Sequence, residues 1–384
     1  MNSFERYEAV LRGEKPDKLP LYVMTVDSAV ASQMLGRPAD TGGNILHFAE
    51  EASWLDGEAA HDEFADKHFE DTLAIQRLIG ADIIRETWRS NNLRPTRRID
   101  DYTLEFESPG RRFIKRYSPQ HATYGIVYDT QSADESALDS LLASMQKALD
   151  NPAPLPTEDQ MLASYADILR LKRMAKPYFP VIAGGSVGIA SASPPWLMAA
   201  ALEPELMREY YAAKAQRDAH TIAFLGRQGF RTLNAGADIA SDAGTIISPE
   251  SFHEIFLPYL QTVSKACAQS NMHYCYRTDG NTRGIWKTLF EDGGVQAYGE
   301  VDRGAGMTVQ VMREAYPDLI IWGNVRSSTL HHGDVQTVRE ETRATLRESG
   351  GSHHVPGPSN AILAGTPVEN VWAMVEEIHA GMPA

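Results

Sequence analysis

At 384 residues the chain can bury a large core, and its formal net charge of -15 disfavours general nucleic-acid binding, which relies on Lys and Arg to displace counterions. Its 2 cysteines argue against a disulfide framework and a four-cysteine metal site. No apolar run approaches the roughly 18 to 20 residues that span a bilayer, and residues 1–18 are too charged for a signal peptide, so a soluble cytoplasmic protein is expected.

In chain order, residues 1–18 read as an N-terminal helical extension and residues 19–27 (LPLYVMTVD) as a first strand. A second strand-like run, 81–88 (ADIIRETW), ends in Arg85, Glu86 and Trp88. Residues 102–129 read as an insertion: TLEFES and RRFIKRYS alternate on either side of Pro109 and Gly110, the pattern of a β-hairpin. Its Arg111, Arg112, Lys115 and Arg116 read as a solvated edge rather than a binding patch. The stretch 150–156 (DNPAPLP) is a loop, and 179–186 (FPVIAGGS) a third strand. Pro204 then starts a helix in which Leu202, Leu206, Tyr210 and Ala213 are spaced to bury one face. A fourth strand, 230–238 (FRTLNAGAD), ends in Asp238, and Ser248 with Pro249 caps the next helix.

The fifth strand, 272–281 (MHYCYRTDGN), carries the most chemistry. Strand alternation puts His273, Cys275, Arg277 and Asp279 on one face and Met272, Tyr274 and Tyr276 on the other. Residues 294–301 (GVQAYGEV) lead to Glu300 and Asp302, 319–325 (LIIWGNV) to Asn324 and Arg326, and 350–359 (GGSHHVPGPS) to Asn360. Eight strand-like units separated mostly by helical periodicity predict an α/β fold, a (β/α)8 TIM barrel, over a single domain of residues 1–384. A doubly wound open sheet is the rival. In such a barrel the C-terminal strand ends assemble active sites, so Asp238, Asp279, Glu300 and Arg277 are the catalytic candidates. Arg85, Glu86, Trp88, Asn324, Arg326 and Asn360 are the substrate-binding candidates. His273 and Cys275 lie deeper and read as interior filling. The pairs His331–His332 and His353–His354 each offer at most one inward ligand.

Several of these segments together resemble the uroporphyrinogen decarboxylase superfamily: RYEAVLRGEKPDKLPLYV at the start, ISPESFHEIFLP, YRTDGN, AGMTVQVMREAYPDLIIWGNV, and GPSNAILAGTPVENVWAMVE near the end. The resemblance implies the same barrel. Porphyrinogen decarboxylases of this group carry Met-Arg-Gln-Ala-Gly-Arg after the first strand, where residues 24–31 here read MTVDSAVA, so uroporphyrinogen is not the expected substrate. The resemblance is closer to the branch that moves methyl groups to or from corrinoid proteins. Its thiol-activating members hold zinc with His-x-Cys at the fifth strand end and a later Cys. Arg277 and Asp279 replace that pair, and Ser359 or Asn360 stands where the later Cys is expected. A guanidinium is not a ligand.

The function expected from that resemblance is an O-demethylase-like methyltransferase, moving a methyl group from a small methylated substrate such as a methoxylated aromatic to a corrinoid protein. Asp279 or Glu300 would act as acid or hard-oxygen ligand, and Arg277 would stabilise anionic charge. Methoxyaromatic-cleaving relatives hold zinc with Glu and His, so a zinc site of Asp279, Glu300 and His354 is one expectation and a metal-free site another. Decarboxylation of a non-porphyrin carboxylate, anchored by Arg277 and Arg326, and a non-catalytic binding protein are the alternatives. The N-terminal extension and hairpin read as either a homodimer contact or a lid.

Overall fold

The computed structural model describes residues 1–87, 89, 93–131, 137–176, 178–185, 187–189 and 192–381. Before the first strand come helices α1 (Ser3–Leu11), α2 (Ser28–Leu35), α3 (Asn44–Ser53) and α4 (Glu58–Leu78). The short β1 (Ile84–Arg85) precedes four antiparallel strands, β2 (Arg97–Asp100), β3 (Thr103–Ser108), β4 (Arg111–Ser118) and β5 (Thr123–Asp129). Helices α5 (Ala137–Asp150), α6 (Glu158–Ser164) and α7 (Ala166–Ala175) lead to β6 (Val181–Ile182), and α8 (Pro194–Leu202) and α9 (Pro204–Arg227) to β7 (Thr232–Gly236). The small β8 (Ala240–Ser241) and β9 (Gly244–Thr245) precede α10 (Pro249–Gln269) and β10 (His273–Arg277). Last come β11 (Ala297–Gly299), α11 (Val309–Ala315), β12 (Ile320–Trp322), α12 (Ser327–His332), α13 (Val335–Ser349), β13 (His354–Val355) and α14 (Val368–Ala380).

Strands β7, β10, β11, β12 and β13 form one parallel sheet in that spatial order, and β1 pairs with β6, also in parallel. Parallel strands alternating with helices make the architecture α/β. Single bridges extend the pairing, from Tyr22 to Ile83, Ala183 to Leu233, and Val26 to Ile362. The Tyr22 N–H also donates to the Pro356 carbonyl at 3.1 Å, linking the first predicted strand to the eighth. That first segment is not the continuous strand its pattern predicts. Pro20 has no N–H, and the Leu21 N–H is taken by the Asp82 carboxylate at 3.1 Å, so the ladder is reduced to isolated bridges.

Alternation divides the core as the fifth strand predicts. Tyr274 and Tyr276 pack outward with Phe252, Phe256 and other residues of the helical layer. Cys275 joins an inner cluster with Ile83, Ile182, Ala297, Ile320, Trp322 and Val355. Tyr7 of α1 belongs to the same cluster, edge-on to Trp322 and hydrogen-bonded to Thr232. A capping box between Asn2 and Glu5 fixes the start of that helix.

The helix after Pro204 buries a face offset from the predicted one. Met207, Tyr211, Ala215 and Ile222 are buried, whereas Leu202 is 62% exposed. The cause is the break at Glu203, whose φ of -133° ends α8, so Leu202 belongs to the preceding helix. The antiparallel sheet contains the Pro109–Gly110 turn between β3 and β4, with β2 and β5 on its edges. Leu104, Phe106 and Phe113 pack there on Phe48 and Ala52 of α3. Its basic residues are tied locally: Arg111 to Asp129, Arg112 to Glu105 and Lys115 to Glu51. Among the described residues no helix is long and apolar enough to cross a membrane.

Candidate active site

Strand register builds the site. Gly236, Arg277 and Gly299 lie side by side at the ends of β7, β10 and β11. Both neighbours of Arg277 are glycines, and a Cβ on Gly236 would sit 1.9 Å from the Arg277 carbonyl oxygen. One or two residues beyond this level each strand delivers a carboxylate: Asp238, Asp279 and Glu300. One oxygen from each lies within 4.8 Å of the others. Glu300 has a φ of +60°, a left-handed conformation that non-glycine residues rarely adopt, and its carboxylate accepts a hydrogen bond from Arg277. Asp279 accepts from the Asn360 side-chain amide at 3.0 Å.

Asp279 is the perturbed member of the group. Burial, followed by the negative charges of Glu300, Asp238 and Asp302, pushes its carboxyl up to about 7, against the opposing hydrogen bond from Asn360. A carboxylic acid that is half protonated near neutrality can donate a proton where an ordinary aspartate cannot. Glu86 is also pushed up to about 7 by burial, with Arg89 opposing.

Below the carboxylates is a cavity of about 20 Å³, lined among others by Tyr22, Met24, Asn234, Arg277, Glu300 and Trp322. Arg85 reaches its lining, donating to the Asn234 amide oxygen at 3.3 Å and to the Met24 sulfur at 3.5 Å. Tyr22, Asn234 and Trp322 were not among the residues picked from sequence. Asn234 was detectable: in TLNAG the alternation that sends Leu233 and Ala235 outward sends a polar side chain inward, opposite Cys275. Cys275 is fully buried, and burial pushes its thiol up to about 12, the opposite of a zinc thiolate.

Other candidates are placed elsewhere. Trp88 lies outside the described residues. Asn324 is buried, donates to the Val301 and Met307 carbonyls, and accepts from Arg303 and Thr345, so its side chain has no capacity left for a substrate. Arg326 is exposed, with its guanidinium beside Gly304. His354 is fully buried near the start of its strand, with Nε2 2.5 Å from the Gly323 carbonyl oxygen and its imidazole pushed down to about 4 by burial. Among the described residues the third member of the carboxylate group is Asp238, not His354.

Residues 221–381 match the uroporphyrinogen decarboxylase (URO-D) family. The chain resembles that family. The URO-D match spans all five strands of the main sheet and all three clustered carboxylates. No curated protein sequence gives a significant match. Among solved structures, a methyltransferase from Methanosarcina mazei superposes with a TM-score of 0.64 at 18% identity, covering 99% of each chain. A protein assigned as a vitamin-B12 independent methionine synthase from Listeria monocytogenes gives a TM-score of 0.48 at 13% identity, covering 95% of this chain and 98% of its own. The first likeness establishes a shared fold.

Proposed function

We propose that this URO-D-like chain is a single-domain methyltransferase on a closed (β/α)8 barrel, with residues 1–18 as an extension and 102–129 as an insertion. It takes a methyl group from a small methyl ether and passes it to a nucleophilic acceptor, a corrinoid protein being the first to test. The observation that carries this reading is Asp279: an acid poised at about 7 beside the Arg277–Glu300 pair at the strand ends. The hydrogen bond from Tyr22 to Pro356 supports closure. The fold shared with the Methanosarcina protein, itself described as a methyltransferase, supports the reaction class.

In this scheme the ether's methyl–oxygen bond breaks. Its electron pair stays on oxygen, the methyl carbon bonds to the acceptor, and Asp279 gives its proton to the departing oxygen. Glu300 keeps that proton on Asp279 before reaction, and Arg277 limits the charge of Glu300. Asn360 orients the Asp279 carboxyl. The three-carboxylate donor set lacks His and Cys, so it suits a hard divalent cation better than zinc. Such an ion would be held by Asp238, Asp279 and Glu300 and would polarise the ether oxygen. Elemental analysis of untagged protein distinguishes an acid from a ligand at Asp279. The decarboxylase alternative is weakened because Arg277 is already paired with Glu300 and Arg326 is exposed to solvent.

The test is transfer of an isotopically labelled methyl group from a panel of methyl ethers to reduced cobalamin. Asp279→Asn should slow turnover by about 10²- to 10⁴-fold with the fold intact. Full activity in that variant with an identified ether would remove Asp279 from the mechanism.

A further inference from the structure

We infer that two copies of this chain pair through β5, edge to edge and antiparallel, joining their inserted sheets into one. The sheet runs β2-β3-β4-β5, so β2 and β5 are its edges and each has one unpaired side. The two edges carry different chemistry. β2 reads Arg97-Arg98-Ile99-Asp100, and charges of this kind keep strand edges from pairing. β5 has no charge from Thr123 to Tyr128, and Ile126, Val127 and Tyr128 are 50%, 59% and 47% exposed. Three consecutive bulky side chains are exposed because the pairing with β4 slips between Ile114 and Lys115, leaving Val127 with no opposite residue. Ahead of that slip the strand is anchored: Tyr124 packs on Phe48 of α3 and donates to Glu51. Among the described residues no other backbone group bonds to the outer side of β5.

Charge and symmetry make the occupant a second copy. Antiparallel pairing about a two-fold axis sets the strand against its own reversed sequence, TYGIVY, and no register across these residues opposes like charges. The chain as a whole carries -15, which drives copies apart, but residues 97–129 hold 6 basic and 5 acidic side chains. Those beside the edge are already matched within the sheet, Arg111 with Asp129 and Arg112 with Glu105. The inserted sheet is therefore nearly neutral, and two copies can meet on it without the repulsion that the rest of the chain brings. Closure follows as well. Pairing uses β5 of both copies and leaves a charged β2 at each outer end, so assembly stops at two instead of running on as a fibre.

Sedimentation equilibrium of the full untagged chain tests this without any substrate. A contact built on one strand is small, so wild type should be dimeric at about 100 µM and dissociate on dilution towards about 1 µM. Added salt should tighten the dimer by screening the net charge. Val127→Lys puts a like charge on both sides of the joint and should weaken the dimer by at least about 10-fold. Ile99→Lys, on the β2 edge, should leave it unchanged. Ile126→Lys repeats the test on β5 if Val127→Lys does not fold. A wild type that stays monomeric at about 100 µM would leave the edge to a foreign strand and overturn the proposal. A dimer that survives both β5 substitutions, is lost equally in Ile99→Lys, or dissolves in salt would place the contact elsewhere and overturn it too.

Discussion

Asp279 is a folded-state acid made by its neighbours, and the sign of its shift can be tested twice. Its pKa is raised from 3.8 to about 7, so the folded protein holds this proton more tightly than the unfolded chain does. The group therefore opposes folding increasingly as pH rises from its unfolded value to its folded one, and the full cost is present above pH 7. Allowing for solvent screening of a half-buried site, that cost is on the order of 1 kcal/mol. Asp279→Asn should accordingly unfold at a higher temperature than wild type at pH 8 and at about the same temperature near pH 4. In the opposite direction, turnover by wild type should fall as pH rises through about 7, because the acid form is consumed. Glu300→Gln removes the largest like charge acting on Asp279, so the same limb of the pH–rate profile should move to lower pH; an unmoved limb would assign it to another group, Glu86 being the next candidate.

At the scale of elements, what was legible depended on whether local pattern or tertiary packing decided the outcome. The ending of β10 was legible because alternation alone separates Cys275 and Arg277 from Tyr274 and Tyr276. The buried face of α9 was not, because Leu202 and Tyr210 satisfy a helical period while Glu203 interrupts it and Met207 and Tyr211 face the packed layer. Tyr211→Ala should cost about 3–5 kcal/mol, since the ring is buried and its hydroxyl accepts from the Trp196 indole at 3.0 Å. Tyr210→Ala should cost less than about 2 kcal/mol, and denaturant unfolding of the two variants compares the faces directly. His354 misled for a related reason: position in sequence near a strand end did not reveal that the residue lies too deep. Gly357 marks where the first and eighth segments meet, with an added Cβ falling 1.8 Å from the Tyr22 carbonyl oxygen. Gly357→Ala should destabilise by roughly 1–3 kcal/mol as the two backbones are forced apart.

Over the whole molecule, the alternation of strand and helix was readable in the sequence, while the joints between outer strands were not. They rest on single bridges such as Tyr22 to Ile83 and Ala183 to Leu233, which leave no periodic signature. Nor did any pattern show that α1 would turn Tyr7 into the interior to meet Trp322 and Thr232. Tyr7→Ala should cost about 3–5 kcal/mol by opening a void in that cluster, measurable as a lowered unfolding midpoint. The same plug governs traffic. Because α1 covers the inner cluster with Tyr7, the proposed methyl transfer would bring both the small ether and the methyl acceptor in from the side of Asp238, Asp279 and Glu300. On that proposal a large acceptor would cover the ether, so the ether would load first and excess unmethylated acceptor would slow turnover, which initial-rate kinetics at varied acceptor concentration checks.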